Sequence, residues 1–170
     1  MPRINVCSLR LIDDVVRKTG ARHLVTLINV GTPVGRPTTI EEDRHLFIGV
    51  SDITEPMDGQ IHPAEEHVTK LLNFARNWDR REPIIVHCYA GVSRSTAAAF
   101  IIACALLPER PEQEIARAIR DASPTATPNR RLVAVADAML GRDGRMIAAI
   151  EAIGRGEDCF EGVPFALELT

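Results

Sequence analysis

The chain has 170 residues, 45% of them hydrophobic and 25% charged, with a formal net charge of -3 at pH 7. This length and composition predict one soluble globular domain that is large enough to bury a core. The acidic balance argues against nucleic acid or an anionic membrane as an obligatory partner. The 4 cysteines show no C-x-x-C spacing, so the sequence predicts neither a zinc site nor a disulfide framework.

The sequence contains no clear targeting or membrane-spanning signal. Residues 1–6 lack the apolar core of a secretory signal. The apolar run over 97–107 is shorter than the roughly 20 residues that a membrane-spanning helix needs. We therefore expect a cytoplasmic protein with no membrane partner, in a reducing compartment that suits a free thiol.

In chain order, the first half of the sequence predicts three strands and one helix. A short strand over 4–7 precedes a helix that runs from Ser8, as N-cap, to Lys18 and is ended by Gly20. Two apolar runs then predict further strands, because they are short and bounded by Gly, Pro and polar residues. These two strands are predicted over 23–29 and 46–50.

The second half of the sequence is mainly helical. An amphipathic helix over 63–78 precedes a buried strand over 84–87. Four further helices are predicted over 93–107, 111–122, 128–140 and 143–153. Strands separated by helices predict an α/β fold, with a mainly parallel sheet of four to five strands and helices on both faces. We expect one domain over 1–153 and a weakly structured tail over 154–170.

The residues that most clearly indicate a chemical function lie in the segment from Ile84 to Thr96. A loop of five residues separates Cys88, at the end of a buried strand, from Arg94, at the start of an apolar helix. Backbone N–H groups that converge on the first turn of a helix bind phosphate and favour thiolate over thiol. The planar guanidinium of Arg94 matches phosphate oxygens. The sequence therefore predicts a nucleophile inside an oxyanion-binding site.

This segment resembles the signature loop of the cysteine-dependent protein tyrosine phosphatases, H-C-x-x-G-x-x-R-S. Residues His87 to Ser95 match it at every fixed position. The resemblance implies that Cys88 attacks phosphorus and that Arg94 binds the phosphate oxygens, without a metal or cofactor. It also implies that the loop between them surrounds the phosphate. The loop residues are Tyr89, Ala90, Gly91, Val92 and Ser93.

The resemblance also implies roles for two residues beside the nucleophile. The hydroxyl of Ser95 is expected to hydrogen-bond the sulfur and to help it leave when the phosphocysteine is hydrolysed. A hydroxyl in the first turn of a helix can also lack any chemical task. His87 is expected to orient the loop and to point away from the phosphate.

A general acid is needed to protonate the leaving oxygen. In the dual-specificity branch of the family, this acid is an Asp in a loop that follows an earlier strand, some thirty-odd residues before the cysteine. Asp52 follows the strand over 46–50 and resembles this arrangement. Asp58 and Glu55 lie in the same loop and remain alternatives.

A second segment, over 123–131, resembles the dual-specificity segment whose Pro-Asn pair approaches the signature loop. Asn129 is therefore expected to brace that loop or to position water. The alternative is that Asn129 only begins a helix. Arg130 and Arg131 could contact substrate phosphate or face solvent.

Features that the chain lacks indicate which branch of the phosphatase family it resembles. With 5 Phe, 1 Tyr and 1 Trp, it has few aromatic residues to wall the deep site of the large tyrosine-specific branch. Its signature loop also lacks the lysines that lipid phosphatases carry. The sequence resembles an atypical, bacterial-type member of the dual-specificity-like branch.

We therefore predict a phosphomonoester hydrolase that acts through a cysteinyl-phosphate intermediate. Its substrate would be a phosphorylated protein or a small phosphomonoester. The alternatives are a phosphoprotein-binding module with little turnover, and a phosphatase of a lipid, nucleotide or sugar phosphate. The sequence does not indicate an oligomeric state.

Overall fold

The computed structural model describes residues 2–170, and this part of the chain contains five strands and six α-helices. The strands are β1 Arg3–Ser8, β2 His23–Ile28, β3 His45–Gly49, β4 Ile84–Cys88 and β5 Phe165–Glu168. The helices are α1 Ile12–Thr19, α2 Glu65–Asn77, α3 Arg94–Leu106, α4 Glu112–Ala122, α5 Arg130–Met139 and α6 Arg145–Ile153. Short 3₁₀ turns span Leu9–Leu11 and Glu42–Arg44.

The five strands form one sheet in the order β3-β2-β4-β1-β5. β1, β2, β3 and β4 run parallel to one another, and β5 runs antiparallel to β1. The predicted α/β fold with a mainly parallel sheet is therefore confirmed. Because the carboxyl ends of parallel strands meet at one edge, Ser8 at the end of β1 lies beside Cys88 at the end of β4.

The sheet separates two apolar cores of unequal size. Helices α2 to α6 pack on one face, which includes Val25 and Val86, and α1 packs on the other face beside Leu24 and Ile85. Helix α3 is buried from Arg94 to Cys104, as expected for a helix that is apolar on nearly all sides. The signature loop is therefore held between a buried strand and a buried helix.

The prediction of a weakly structured tail over 154–170 was wrong for the end of that segment. Phe165–Glu168 forms β5, which pairs with β1 and places Ile4 opposite Leu167. Phe165, Leu167 and Leu169 are buried, whereas Glu168 is exposed. This alternation is the pattern of a half-buried antiparallel strand, and it was present in the sequence.

The start of α1 also differs from the prediction. Ser8 precedes a 3₁₀ turn, its side chain caps no helix, and α1 begins only at Ile12. The Ser8 hydroxyl instead donates to Glu161 Oε2 at 2.7 Å. The predicted end of the helix is confirmed, because Gly20 adopts a left-handed conformation (φ 70°) and its N–H caps the carbonyl of Val16.

Candidate active site

The signature loop begins where β4 ends. Cys88 is the last residue of β4 and is only 2% exposed. It lies where the parallel strands have their carboxyl ends. Gly91, in the middle of the loop, has φ of +72°, and a methyl group on it would lie 2.7 Å from the backbone carbon of Cys7. Only glycine fits both this conformation and this close approach.

Three consecutive carbonyl groups of the loop accept hydrogen bonds from fixed donors. The His87 Nδ1–H donates to the Cys88 carbonyl at 3.0 Å. The Leu9 N–H donates to the Tyr89 carbonyl at 3.1 Å, and the Gly162 N–H donates to the Ala90 carbonyl at 2.9 Å. In a planar trans peptide the C=O and the following N–H point in opposite directions. The N–H groups that follow these carbonyls therefore point away from the donors.

The second half of the loop is anchored in the same way from α3 and from the segment that precedes α5. The carbonyl of Val92 accepts from the Thr127 N–H at 2.9 Å, and the carbonyl of Ser93 accepts from the Asn129 N–H at 3.1 Å. The Thr96 hydroxyl lies 2.6 Å from the Val92 carbonyl and 3.0 Å from that of Ser93. The loop conformation is thus determined by contacts along most of its length.

Arg94 is buried at the first position of α3. One of its terminal nitrogens, Nη1, donates to Asn29 Oδ1 at 2.6 Å and to the carbonyl of Val50 at 2.9 Å. These contacts tie the guanidinium to the ends of β2 and β3. Its Nε is buried and has no hydrogen-bond partner within residues 2–170. A buried N–H without a partner is costly, so this N–H is available to an acceptor that binds beside it.

The sulfur of Cys88 lies 3.1 Å from Ser95 Oγ, and in the thiol form the S–H donates to this hydroxyl. Both side chains are buried. Burial raises the pKa of two other cysteines, Cys7 and Cys104, to about 12. The fourth, Cys159, is exposed.

His87 lies beneath the loop in a chain of three side chains. Its Nδ1 faces the Cys88 carbonyl, which can only accept, so Nδ1 carries the proton and donates. Its Nε2 therefore accepts from the Thr26 hydroxyl at 2.7 Å, and Thr26 Oγ1 in turn accepts from His45 Nε2 at 2.8 Å. Burial lowers the pKa of His87 to about 4, so the ring is neutral near pH 7.

Asp52 lies at the start of the loop over 51–59, which we call the acid loop. Its Oδ1 accepts from the Ser93 hydroxyl at 2.7 Å and from Asn129 Nδ2 at 2.9 Å. The fold therefore brings Asp52 to the rim of the signature loop. Asn129 caps α5 through its Oδ1, which accepts from the Leu132 N–H at 3.0 Å. The two interpretations of Asn129, a helix start and a brace, describe the same geometry.

A cleft of about 430 Å³ opens between the acid loop and α5. Its lining includes Asp52 and Glu55 on one side and Ser93 and Asn129 on the other, but not Asp58, which is exposed. Arg130 also lines the cleft, but its guanidinium pairs with Glu151 at 2.5 Å.

Sequence reasoning missed several residues of the site. Asn29 is one whose signal was present, since it is a polar residue at the carboxyl end of an apolar parallel strand. Thr26 had a weaker signal, as a hydroxyl inside an otherwise apolar strand. Glu161 and Gly162 had none, because they lie far along the chain in a segment without a motif.

Comparison with known proteins agrees with this geometry. The family model described as protein-tyrosine phosphatase matches residues 42–126, which is half of the chain. The chain therefore belongs to the protein-tyrosine phosphatase family, whose members are cysteine-based, metal-independent phosphatases. The predicted family is confirmed. No curated protein matches the chain in sequence.

Solved structures show the same fold at low sequence identity. The Cydia pomonella PTP-2 phosphatase has a TM-score of 0.62 and 18% identity, over 79% of this chain and 84% of its own. DUSP15 has a TM-score of 0.61 and 18% identity, over 91% and 94%. PTPMT1 has a TM-score of 0.57 and 14% identity, over 88% and 94%, and a second PTPMT1 structure contains PI(5)P. The fold is thus of the dual-specificity-like type.

Among residues 2–170, no helix is both long enough and apolar enough to cross a bilayer. In the same part of the chain, no group of three or more His, Cys, Asp or Glu side chains is arranged to hold a metal ion.

Proposed function

We propose that this protein hydrolyses phosphomonoesters on protein side chains through a cysteinyl-phosphate intermediate. The Cys88 thiolate attacks phosphorus while the bond to the leaving oxygen breaks and Asp52 gives that oxygen its proton. Asp52 then takes a proton from the water that attacks phosphorus. The P–S bond breaks, which releases inorganic phosphate and restores the thiolate.

The observation that carries this proposal is the buried, unpartnered Nε of Arg94. The Nη1 contacts to Asn29 and Val50 fix the guanidinium plane, so the remaining N–H groups are preorganised. A phosphate oxygen would satisfy Nε and would gain a charge-assisted hydrogen bond. The loop N–H groups would bind the other equatorial oxygens, where charge develops in the transition state.

The contacts of Asp52 favour its role as the general acid. Both of its hydrogen bonds reach one oxygen, Oδ1, which acts only as an acceptor from Ser93 and Asn129. Neither bond uses Oδ2, so this oxygen is free to exchange a proton with a leaving group or with water. Glu55 lines the same cleft but has no comparable contact with the signature loop, and Asp58 does not line the cleft.

Ser95 has a position that suits the second step. Its hydroxyl is 3.1 Å from the Cys88 sulfur, so it can donate to the thiolate as the P–S bond breaks. This stabilises the leaving sulfur, whose negative charge develops in the buried interior of the protein.

Protein substrates are favoured over polyphosphoinositides by the charges around the site. The variable loop positions Tyr89, Ala90, Val92 and Ser93 supply no cation for a second phosphate. Arg130, at the cleft, is already paired with Glu151. PTPMT1 binds PI(5)P in its solved complex, so phosphoinositides are the competing substrate class in the experiment.

The test is steady-state hydrolysis of phenyl phosphate, phosphotyrosine peptides and phosphoinositide vesicles, with and without a chelator. We expect peptide and phenyl phosphate turnover that the chelator leaves unchanged and that Cys88→Ser abolishes. If only the phosphoinositide vesicles are hydrolysed, phosphoinositides replace protein side chains as the proposed substrate class. Binding of phosphopeptide without any turnover would favour a phosphoprotein-binding module.

A further inference from the structure

The C-terminal part of the chain reaches the signature loop. Residues 160–162, which we call the tail segment, pass beside Tyr89, Ala90 and Gly91. The Gly162 N–H donates to the Ala90 carbonyl at 2.9 Å. The neighbouring Glu161 carboxylate accepts from the Ser8 hydroxyl at 2.7 Å.

The same carboxylate binds the turn that follows β1. Arg10 donates to it twice, from Nη2 to Oε1 at 2.6 Å and from Nε to Oε2 at 3.1 Å. Leu9, beside Arg10, donates its N–H to the Tyr89 carbonyl. Thus Glu161 holds the tail segment to a turn that itself contacts the signature loop.

The loop is enclosed tightly between these two segments. A methyl group on Gly162 would lie 2.9 Å from the Gly91 carbonyl oxygen, closer than real contacts allow. On the other side, a methyl group on Gly91 would lie 2.7 Å from the Cys7 backbone. The middle of the loop therefore has no room to shift toward either neighbour.

We propose that the tail segment is a positioning element of the signature loop, in which Gly162 orients a loop peptide and Glu161 anchors the segment. This inference rests on the proposed function. The Ala90 carbonyl points to the Gly162 N–H, so the N–H of Gly91 in the same trans peptide points the opposite way. The tail segment thereby directs a phosphate-binding donor without touching the phosphate.

The two contacts should differ in their importance. Arg10 is 73% exposed and the Glu161 side chain 31% exposed, so solvent screens their ion pair. Such exposed pairs contribute little to stability, even where the geometry is two-pronged as it is here. The Gly162 contact touches the loop itself, and a displacement of about 1 Å near reacting groups can cost about 100-fold in rate.

The main test is Gly162→Ala, with Gly35→Ala as the matched control. Gly35 lies in a loop where an added methyl group meets nothing within 4 Å. For Gly162→Ala we expect kcat/KM on phenyl phosphate to fall by about 10- to 100-fold and the inhibition constant of inorganic phosphate to rise. Partial unfolding would lower the active fraction and leave that inhibition constant unchanged. An unchanged inhibition constant would therefore overturn the proposal.

Glu161→Gln is tested beside Asp158→Asn. Asp158 pairs with Arg155 at 2.6 Å on the same stretch of chain, and its side chain is 81% exposed. We expect Glu161→Gln to weaken inhibition by phosphate by about 2- to 5-fold, in line with an exposed pair, and Asp158→Asn to have no effect. Equal effects of the two variants would contradict an anchoring role for Glu161.

A separate readout distinguishes failure of this inference from failure of the proposed function. Phosphate protection of Cys88 against iodoacetate requires binding but no turnover. A wild-type protein that is protected but inactive would refute the phosphatase and still allow the Gly162→Ala comparison. If the wild type is active and phosphate protects Cys88 equally well in Gly162→Ala, only the role of the tail segment is refuted. A wild type with neither property would refute both.

Discussion

The signature loop and the acid loop meet at the same site but are held in different ways. The signature loop runs between the buried β4 and α3, and its carbonyls accept hydrogen bonds from β4, the turn after β1, α3, the segment before α5 and the tail segment. The acid loop is exposed over most of its length. It is attached to the rest of the site mainly through Asp52 and the Ile53 carbonyl, both of which accept from Asn129.

Under the proposed function, this difference separates phosphate binding by the signature loop from proton transfer by the acid loop. Segments with few buried contacts open at a lower free energy than segments packed in the core. The phosphate site should therefore keep its geometry while the acid loop moves, and it should bind phosphate without Asp52. Changes in the signature loop are expected to affect every substrate, whereas changes in the acid loop should depend on the leaving group.

The largest effect is expected from Arg94→Lys. Lysine keeps the positive charge but cannot form the planar fork or keep the contacts to Asn29 and Val50. We expect kcat/KM to fall by at least about 100-fold on all substrates. Arg130→Lys, at a guanidinium paired with Glu151, is the control and should have a small effect. A nearly silent Arg94→Lys would mean that the phosphate site is misassigned.

The next effect is expected from Asp52→Asn and should depend on the substrate. On phenyl phosphate or a phosphopeptide, kcat should fall by about 100-fold, within the usual range for general acid catalysis. On a substrate with a very acidic leaving group the loss should shrink, because little proton donation is needed. The basic limb of the pH–rate profile should flatten, and inhibition by phosphate should stay close to that of the wild type.

Asp58→Asn is the control for Asp52→Asn. Asp58 does not line the cleft, so we expect an unchanged leaving-group dependence. If Asp58→Asn flattened the basic limb and Asp52→Asn did not, the two roles would have to be exchanged. If neither variant changed that dependence, the acid would lie outside this loop.

The same contrast explains what the sequence could predict. The strand, loop and helix around Cys88 were predictable because the local pattern and the motif agree, and the fold is confirmed there. Asp52 could be proposed from its place after a strand. Its bonds to Ser93 and Asn129 could not, because they join segments that are far apart in the sequence.

The tail shows where local patterns are insufficient. The alternation of Phe165, Leu167 and Leu169 indicated a strand, but nothing indicated that it would pair with β1 at the far end of the chain. The contact between Gly162 and Ala90 follows from that pairing and from the turn before it. Such long-range contacts are decided by the packing of the whole chain rather than by the preferences of single segments.

A smaller difference should separate the four cysteines in alkylation by iodoacetate at pH 6. Burial raises the pKa of Cys7 and Cys104 to about 12, so both stay protonated and unreactive. Cys159 is exposed and does not lie at a helix N-terminus. We expect Cys88 to react at least about ten times faster than Cys159, with protection by phosphate. Peptide mapping by mass spectrometry measures this, and similar labelling of all four would contradict it.

The smallest effect is expected from Thr26→Val, which removes the hydroxyl between His45 and His87. The His87 Nε2 would remain buried without its donor, which costs about 1–3 kcal/mol of folding free energy. The bond from His87 Nδ1 to the Cys88 carbonyl would no longer be enforced, so we expect kcat/KM to fall several-fold. Thr26→Ser keeps the hydroxyl and should restore most of the activity.

The pH dependence of this variant identifies the cause. The pKa of His87 is lowered to about 4 by burial, so the ring stays neutral at every pH well above 4. A proton on His87 is bound more readily in the unfolded chain, whose His pKa is about 6.5, so the free energy of unfolding should fall as the pH drops from 6.5 towards 4. The activity loss in Thr26→Val should therefore be constant between pH 5.5 and 8, as measured by kcat/KM on phenyl phosphate. A loss confined to one end of that range, with the folded fraction by circular dichroism unchanged, would mean that His87 changes its charge during catalysis and that the Thr26 hydroxyl does more than hold the ring in place.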